Sequence, residues 1–135
     1  MITDDLAAER ASHADLLRWV SEYERIELNR PSPKFEILPP IIADQFRQSP
    51  VDGPGCYAIY VQGGSLWYIG MAEDRVSNRA LSHMRPKVQE SPFWKDRGPF
   101  EISIVKTERP WEPHSLEAFL TYKKIIFGNH SGAGG

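Results

Sequence analysis

Two β-prone runs, residues 55–61 (GCYAIYV) and 66–70 (LWYIG), stand on either side of Gln62-Gly63-Gly64-Ser65. β-branched and aromatic residues broken by a Gly-Gly pair are a hairpin pattern, and a hairpin dictates which side chains share a face. If Gly63-Gly64 form a two-residue turn, Val61 faces Leu66, Ile59 faces Tyr68 and Tyr57 faces Gly70. Tyr57 and Tyr68 then emerge on one side of the sheet, and Cys56 on the other. A turn of odd length would send Tyr68 to the opposite side.

Around this hairpin the chain divides into four stretches. Residues 1–30 hold good helix formers, with no Gly or Pro after the start near Thr3, and Leu16, Trp19, Val20, Tyr23 and Ile26 form one apolar stripe. In residues 31–52 the prolines at 31, 33, 39, 40 and 50 favour an extended connection, with one short turn near Ile41 to Phe46. Residues 53–130 form the main unit. After the hairpin, Arg75 to Met84 reads as a helix with Arg79 and His83 one turn apart, residues 86–99 as a loop, and Phe100 to Thr107 as a strand. Pro113 then opens a helix to about Phe127, with Leu116, Phe119, Leu120 and Ile126 buried and Gly128 as its stop. Residues 131–135 read as a flexible tail.

Composition narrows the classes. A chain of 135 residues has room for one domain and a modest appendage. No apolar run reaches the ~18 residues of a membrane span, residues 1–5 lack the features of a secretory signal, and Cys56 is the single cysteine. The expectation is a cytoplasmic protein with no membrane partner. Residues 1–50 carry 6 basic and 9 acidic side chains and residues 51–135 carry 10 and 9, so no broad basic surface for phosphate is expected.

The order from residue 55 is strand, strand, helix, strand, helix, with Tyr57, Tyr68, Gly70, Arg79, His83, Glu117 and Asn129 as markers. This resembles the GIY-YIG nuclease superfamily over about residues 53–130. Gly55-Cys56-Tyr57 matches the first half-motif with Cys in the aliphatic position, and Tyr68-Ile69-Gly70 matches the second; Met71 stands where many members have lysine. The resemblance implies an α+β fold, a three-stranded antiparallel sheet flanked by helices in the order β-β-α-β-α, here with an added N-terminal helix. It implies a metal-dependent endonuclease acting on nucleic acid, DNA ahead of RNA, with one Mg2+ (or Mn2+) ion held by Glu117. Tyr57, Tyr68, Arg79, His83 and Glu117 become the candidate catalytic residues, and Gly55, Gly70 and Asn129 the support.

The chemistry of these side chains suits that role. Arg79 can take a phosphate in two hydrogen bonds, and one carboxylate with water and substrate oxygens suits magnesium. A phenol that relays a proton must be acidified below ~10, by the metal or by Arg79; Tyr57 is taken as the base and Tyr68 as a positioner, following the family. Each residue alone has a plainer reading. Either tyrosine is strand packing, Arg79 and Glu117 are solvated helix charges, Asn129 closes a helix, and His83 is a surface residue, phosphate contact or relay. His114-x-x-Glu117 has a metal-ligand step but no third ligand nearby, so His114 reads as helix entry. The rival is a noncatalytic binding or interaction module on the same scaffold. The acidic N-terminal helix is read as a stabilising element or a surface for homo-oligomerisation.

Overall fold

The computed structural model describes residues 11–47 and 52–134, with side chains as far as residue 128. The elements are α1 (His13–Ile26), β1 (Glu36–Ile37), β2 (Ile41–Ile42), a 3-10 turn (Ala43–Gln45), β3 (Gly55–Val61), β4 (Ser65–Ala72), α2 (Val76–His83), α3 (Pro86–Gln89), β5 (Glu101–Lys106) and α4 (Glu112–Gly134). The class is α+β with an open, wholly antiparallel sheet.

β3 lies between β4 and β5, and alternation along it divides the core. Cys56, Ala58 and Tyr60 face α1 and α4, meeting Leu16, Trp19, Val20, Tyr23, Leu116 and Leu120. Tyr57, Ile59 and Val61 face α2, meeting Val76, Ala80, Met84 and Trp94, with Phe100, Ile102 and Ile104 alternating beside them from the β5 side. The result is helices on both faces of one sheet.

Five strands rather than three make up the sheet, because the proline-rich connection supplies β1 and β2, both paired with β5. Pro39 and Pro40 fall between these two short strands, where no ladder hydrogen bond is needed. The connection therefore covers the edge that β5 would otherwise expose.

The helices correct the expected bounds. α1 begins after Ser12, whose backbone N–H donates to Asp15 Oδ2 at 2.8 Å; the start expected near Thr3 lies outside the described residues. It ends before Arg30 because Asn29 takes a left-handed conformation (φ 52°) and Arg30 N–H turns back to the Glu24 carbonyl. Residues 86–89 form the helical turn α3 within the expected loop. α4 passes through Gly128 and stays helical to Gly134, where a stop and a flexible tail were expected. Glycine ends a helix by adopting positive φ, and among the described glycines only Gly63 and Gly64 do so. Ile26 and Ile126, expected in the buried stripes, are 54% and 44% exposed; Phe127 packs instead, edge-on to Trp19 at 6.0 Å. No helix among the described residues is long and apolar enough to cross a membrane.

Candidate active site

The hairpin turn has three residues, since Val61 pairs with Ser65. Gly64 N–H closes it on the Val61 carbonyl at 2.9 Å, and Gly63 sits at φ 89°, which a type II turn demands of its third residue. That odd length alone would invert the expected faces. A bulge at Trp67 compensates: Tyr60 pairs with Leu66, Ile59 with Tyr68 and Tyr57 with Gly70. Tyr57 and Tyr68 thus share the α2 face, as expected, through two irregularities that cancel. Trp67 joins them there, because a bulge turns consecutive side chains to one side.

Two glycines make this packing possible. A Cβ at Gly70 would fall within the Tyr57 ring, and one at Gly55 would collide with the Val105 carbonyl of β5. Both positions require hydrogen in place of a side chain.

α2 is aimed by a residue the sequence reading did not single out. Asp52 caps its first turn, accepting from Ser77 N–H (3.0 Å), Ser77 Oγ (2.7 Å) and Asn78 N–H (3.2 Å), while Arg75 enters the helix at φ 50°. Val76 and Ala80 point into the core, and Arg79 and His83 line a groove of about 640 Å³. Glu73, Asp74, Arg75, His114 and Met71 also line it. His114 Nε2 lies 2.6 Å from Glu73 Oε2, so the His114 side chain pairs across to the end of β4.

At one end of this groove Tyr57 Oη and His83 Nδ1 are 2.8 Å apart, and the Tyr68 ring lies 4.6 Å from His83 and 6.1 Å from Tyr57. Tyr57 is only 2% exposed, and burial pushes its hydroxyl up to about 12, Tyr68 adding to the rise; hydrogen bonding and charge from Arg79 pull the other way without prevailing. Arg79 therefore does not acidify Tyr57 enough to make it a phenolate at neutral pH, against expectation. His83 is held below the usual imidazole value by burial first and by the Arg79 cation second. A neutral imidazole accepts at one nitrogen and donates at the other, and in the tautomer with its proton on Nε2 the Tyr57 hydroxyl donates to His83 Nδ1.

Tyr57, Tyr68, Arg79 and His83 are thus brought together. Glu117 is half-buried on α4, whose Leu116 and Leu120 pack on the Cys56 face of the sheet, one turn after His114, which lines the groove; its charge contributes to raising the Cys56 thiol that burial already pushes up. Among the described residues it makes no hydrogen bond or ion pair. No group of three or more His, Cys, Asp or Glu among the described residues could enclose a metal, and the donor set fits an ion held by one carboxylate, water and substrate oxygens. The Asn129 side chain lies outside the described residues. Cys56 packs on the α4 side, its thiol 3.5 Å from the Pro113 carbonyl.

His13, hydrogen-bonded to Tyr60 Oη at 2.6 Å, is also held below 6.5 by burial. An unfolded chain takes up protons at His13 and His83 before the folded one does, so their contribution to stability is complete above about pH 6.5 and is lost as pH falls through their lowered values. Urea midpoints are expected to be flat above that pH and to decline below it, less steeply in His83→Gln. A decline of the same steepness in the variant would remove His83 from this account.

Comparison of the chain with protein-family models, with curated proteins and with solved structures gives no match.

Proposed function

We propose that this chain is a metal-dependent endonuclease of GIY-YIG type that hydrolyses phosphodiester bonds in nucleic acid, DNA ahead of RNA. The observation that carries the reading is the 2.8 Å bond from Tyr57 to His83 beside Tyr68 and Arg79, at the end of an open groove. A buried phenol is a poor base by itself. With His83 as acceptor, Tyr57 passes its own proton to Nδ1 while taking one from the attacking water, so no free phenolate has to form. Tyr68 positions the reactants, and the exposed Arg79 grips the phosphate and offsets its growing negative charge. Glu117 would hold the Mg2+ or Mn2+ ion, which when bound neutralises charge on the phosphate oxygens.

The balance of 10 basic and 9 acidic side chains over residues 51–135, and Met71 where a lysine would add a cation, favour the second reading, a noncatalytic nucleic-acid-binding module. Labelled plasmid, single-stranded DNA, branched DNA and RNA incubated with Mg2+ or Mn2+ separate the two. Cutting of at least one substrate, lost in Glu117→Gln, is the expected result. Intact substrates throughout, with a folded protein, would favour the binding module.

A further inference from the structure

Aromatic side chains that are scattered in sequence meet beside the candidate active site. The bulge turns Trp67 and Tyr68 to the same face, and the turn over residues 92–96 brings Phe93 and Trp94 against them. Neighbours on that turn have opposite fates. Trp94 is buried against Phe100 and His83, at 5.6 and 5.4 Å, whereas Phe93 is 49% exposed. Phe93 lies 5.1 Å from Trp67 and 6.3 Å from Tyr68, so the exposed ring adjoins the Tyr57–His83 pair through Tyr68.

The turn is held rigidly for a surface segment. Trp94 and Lys95 N–H groups both donate to the Ser91 carbonyl, and Gln62 N–H from the hairpin turn donates to the Arg97 carbonyl at 2.8 Å. Arg97 lies over the Trp67 ring at 4.0 Å and donates from Nε to the Phe93 carbonyl at 3.2 Å. Phe93 is therefore displayed in a fixed place, with little freedom left to lose on contact. Charge differs here from the chain as a whole: residues 85–97 carry four basic side chains and two acidic ones, in a protein of net charge -2.

We infer that Phe93 is a stacking platform for an unpaired nucleobase, and that the strand entering the groove is single-stranded or locally opened. This rests on the nuclease reading for what happens to the strand afterwards, but not for the binding itself. An exposed aromatic ring meets a base on its π face, which paired and stacked bases of an intact duplex do not offer, and the basic segment meets the backbone phosphates. Every base has such a face, so the platform selects strandedness in preference to sequence.

The test uses the full chain in EDTA, so that no cleavage contributes. Fluorescence anisotropy is read with labelled oligo-dT, oligo-U and a blunt DNA duplex of equal length. Both single strands are expected to bind more tightly than the duplex. Phe93→Ala is expected to weaken single-strand binding about tenfold, to leave duplex binding unchanged, and to be rescued by Phe93→Trp. Unchanged single-strand binding in Phe93→Ala, or the same loss on the duplex, would overturn the platform. A loss confined to the DNA or the RNA arm would also overturn it, because the π face is common to both. Failure of the cleavage assay would leave these results standing, and failure here would leave cleavage intact.

Discussion

Replacing Glu24 with alanine is expected to lower the unfolding free energy by about 3–5 kcal/mol, as for other broken buried ion pairs, against a total of roughly 5–15 kcal/mol for a domain. Glu24 is 2% exposed, near the end of α1. Its Oε1 accepts from Arg30 (2.9 Å) and from the backbone N–H groups of Lys34 (2.6 Å) and Phe35 (3.1 Å). Arg30 continues to Glu108 at 2.8 Å and Glu112 at 3.5 Å, and Glu112 itself accepts the Glu108 and Arg109 N–H groups at 2.8 Å at the entry to α4. One carboxylate therefore ties α1, the proline-rich connection and the start of α4 together. Its removal leaves the Lys34 and Phe35 amides without their acceptor and takes from Arg30 one of its three carboxylate partners, in a place water reaches poorly. Urea denaturation measures the loss, with the exposed Glu27→Ala as control. Glu24→Gln, which keeps one acceptor oxygen, should fall between them. A Glu24→Ala midpoint equal to that of the control would show that the network adds nothing to stability.

The same residues explain which parts of the fold were legible in the sequence. Local patterns held wherever a face is buried along its whole length: alternation gave β3 and β5, and helical spacing gave the Leu16–Tyr23 and Leu116–Leu120 stripes. They failed at stripe ends, since Ile26 and Ile126 continue the spacing past the surface they would pack on. Features made by distant partners left no local mark. β1 and β2 are too short to be read until β5 offers an edge, Asp52 caps a helix that starts 24 residues later, and Glu24 looks like any charge on α1. The site was legible to a comparable degree. The Tyr57–Tyr68 face followed from pairing arithmetic only because bulge and turn offset one another, and the step from Arg79 to His83 followed from helix geometry. The aromatic cluster did not: Trp67 reaches the α2 face through the bulge, and Phe93 sits on a turn with no periodicity.

On the nuclease reading, Arg79→Ala is expected to reduce cleavage about 10²- to 10³-fold, the usual loss for one donor that stabilises transition-state charge, while magnesium still raises the melting temperature as in the unaltered protein. Arg79 is exposed and lies on the groove, so its removal opens no core cavity. It does change the titration of its neighbours. The cation holds His83 down and pulls against the rise at Tyr57, so without it both groups move up. Because neutral His83 is the form that accepts the Tyr57 proton, activity falls on the acid side as His83 becomes charged, and in Arg79→Ala that acid limb shifts to higher pH. Arg79→Lys keeps a charge but not the two-pronged fork, so it should restore the position of the acid limb more fully than the rate. Loss of the magnesium response together with cleavage would mark Arg79 as part of the metal site or the fold. An unmoved acid limb would mean that His83 is not the group whose protonation limits the reaction.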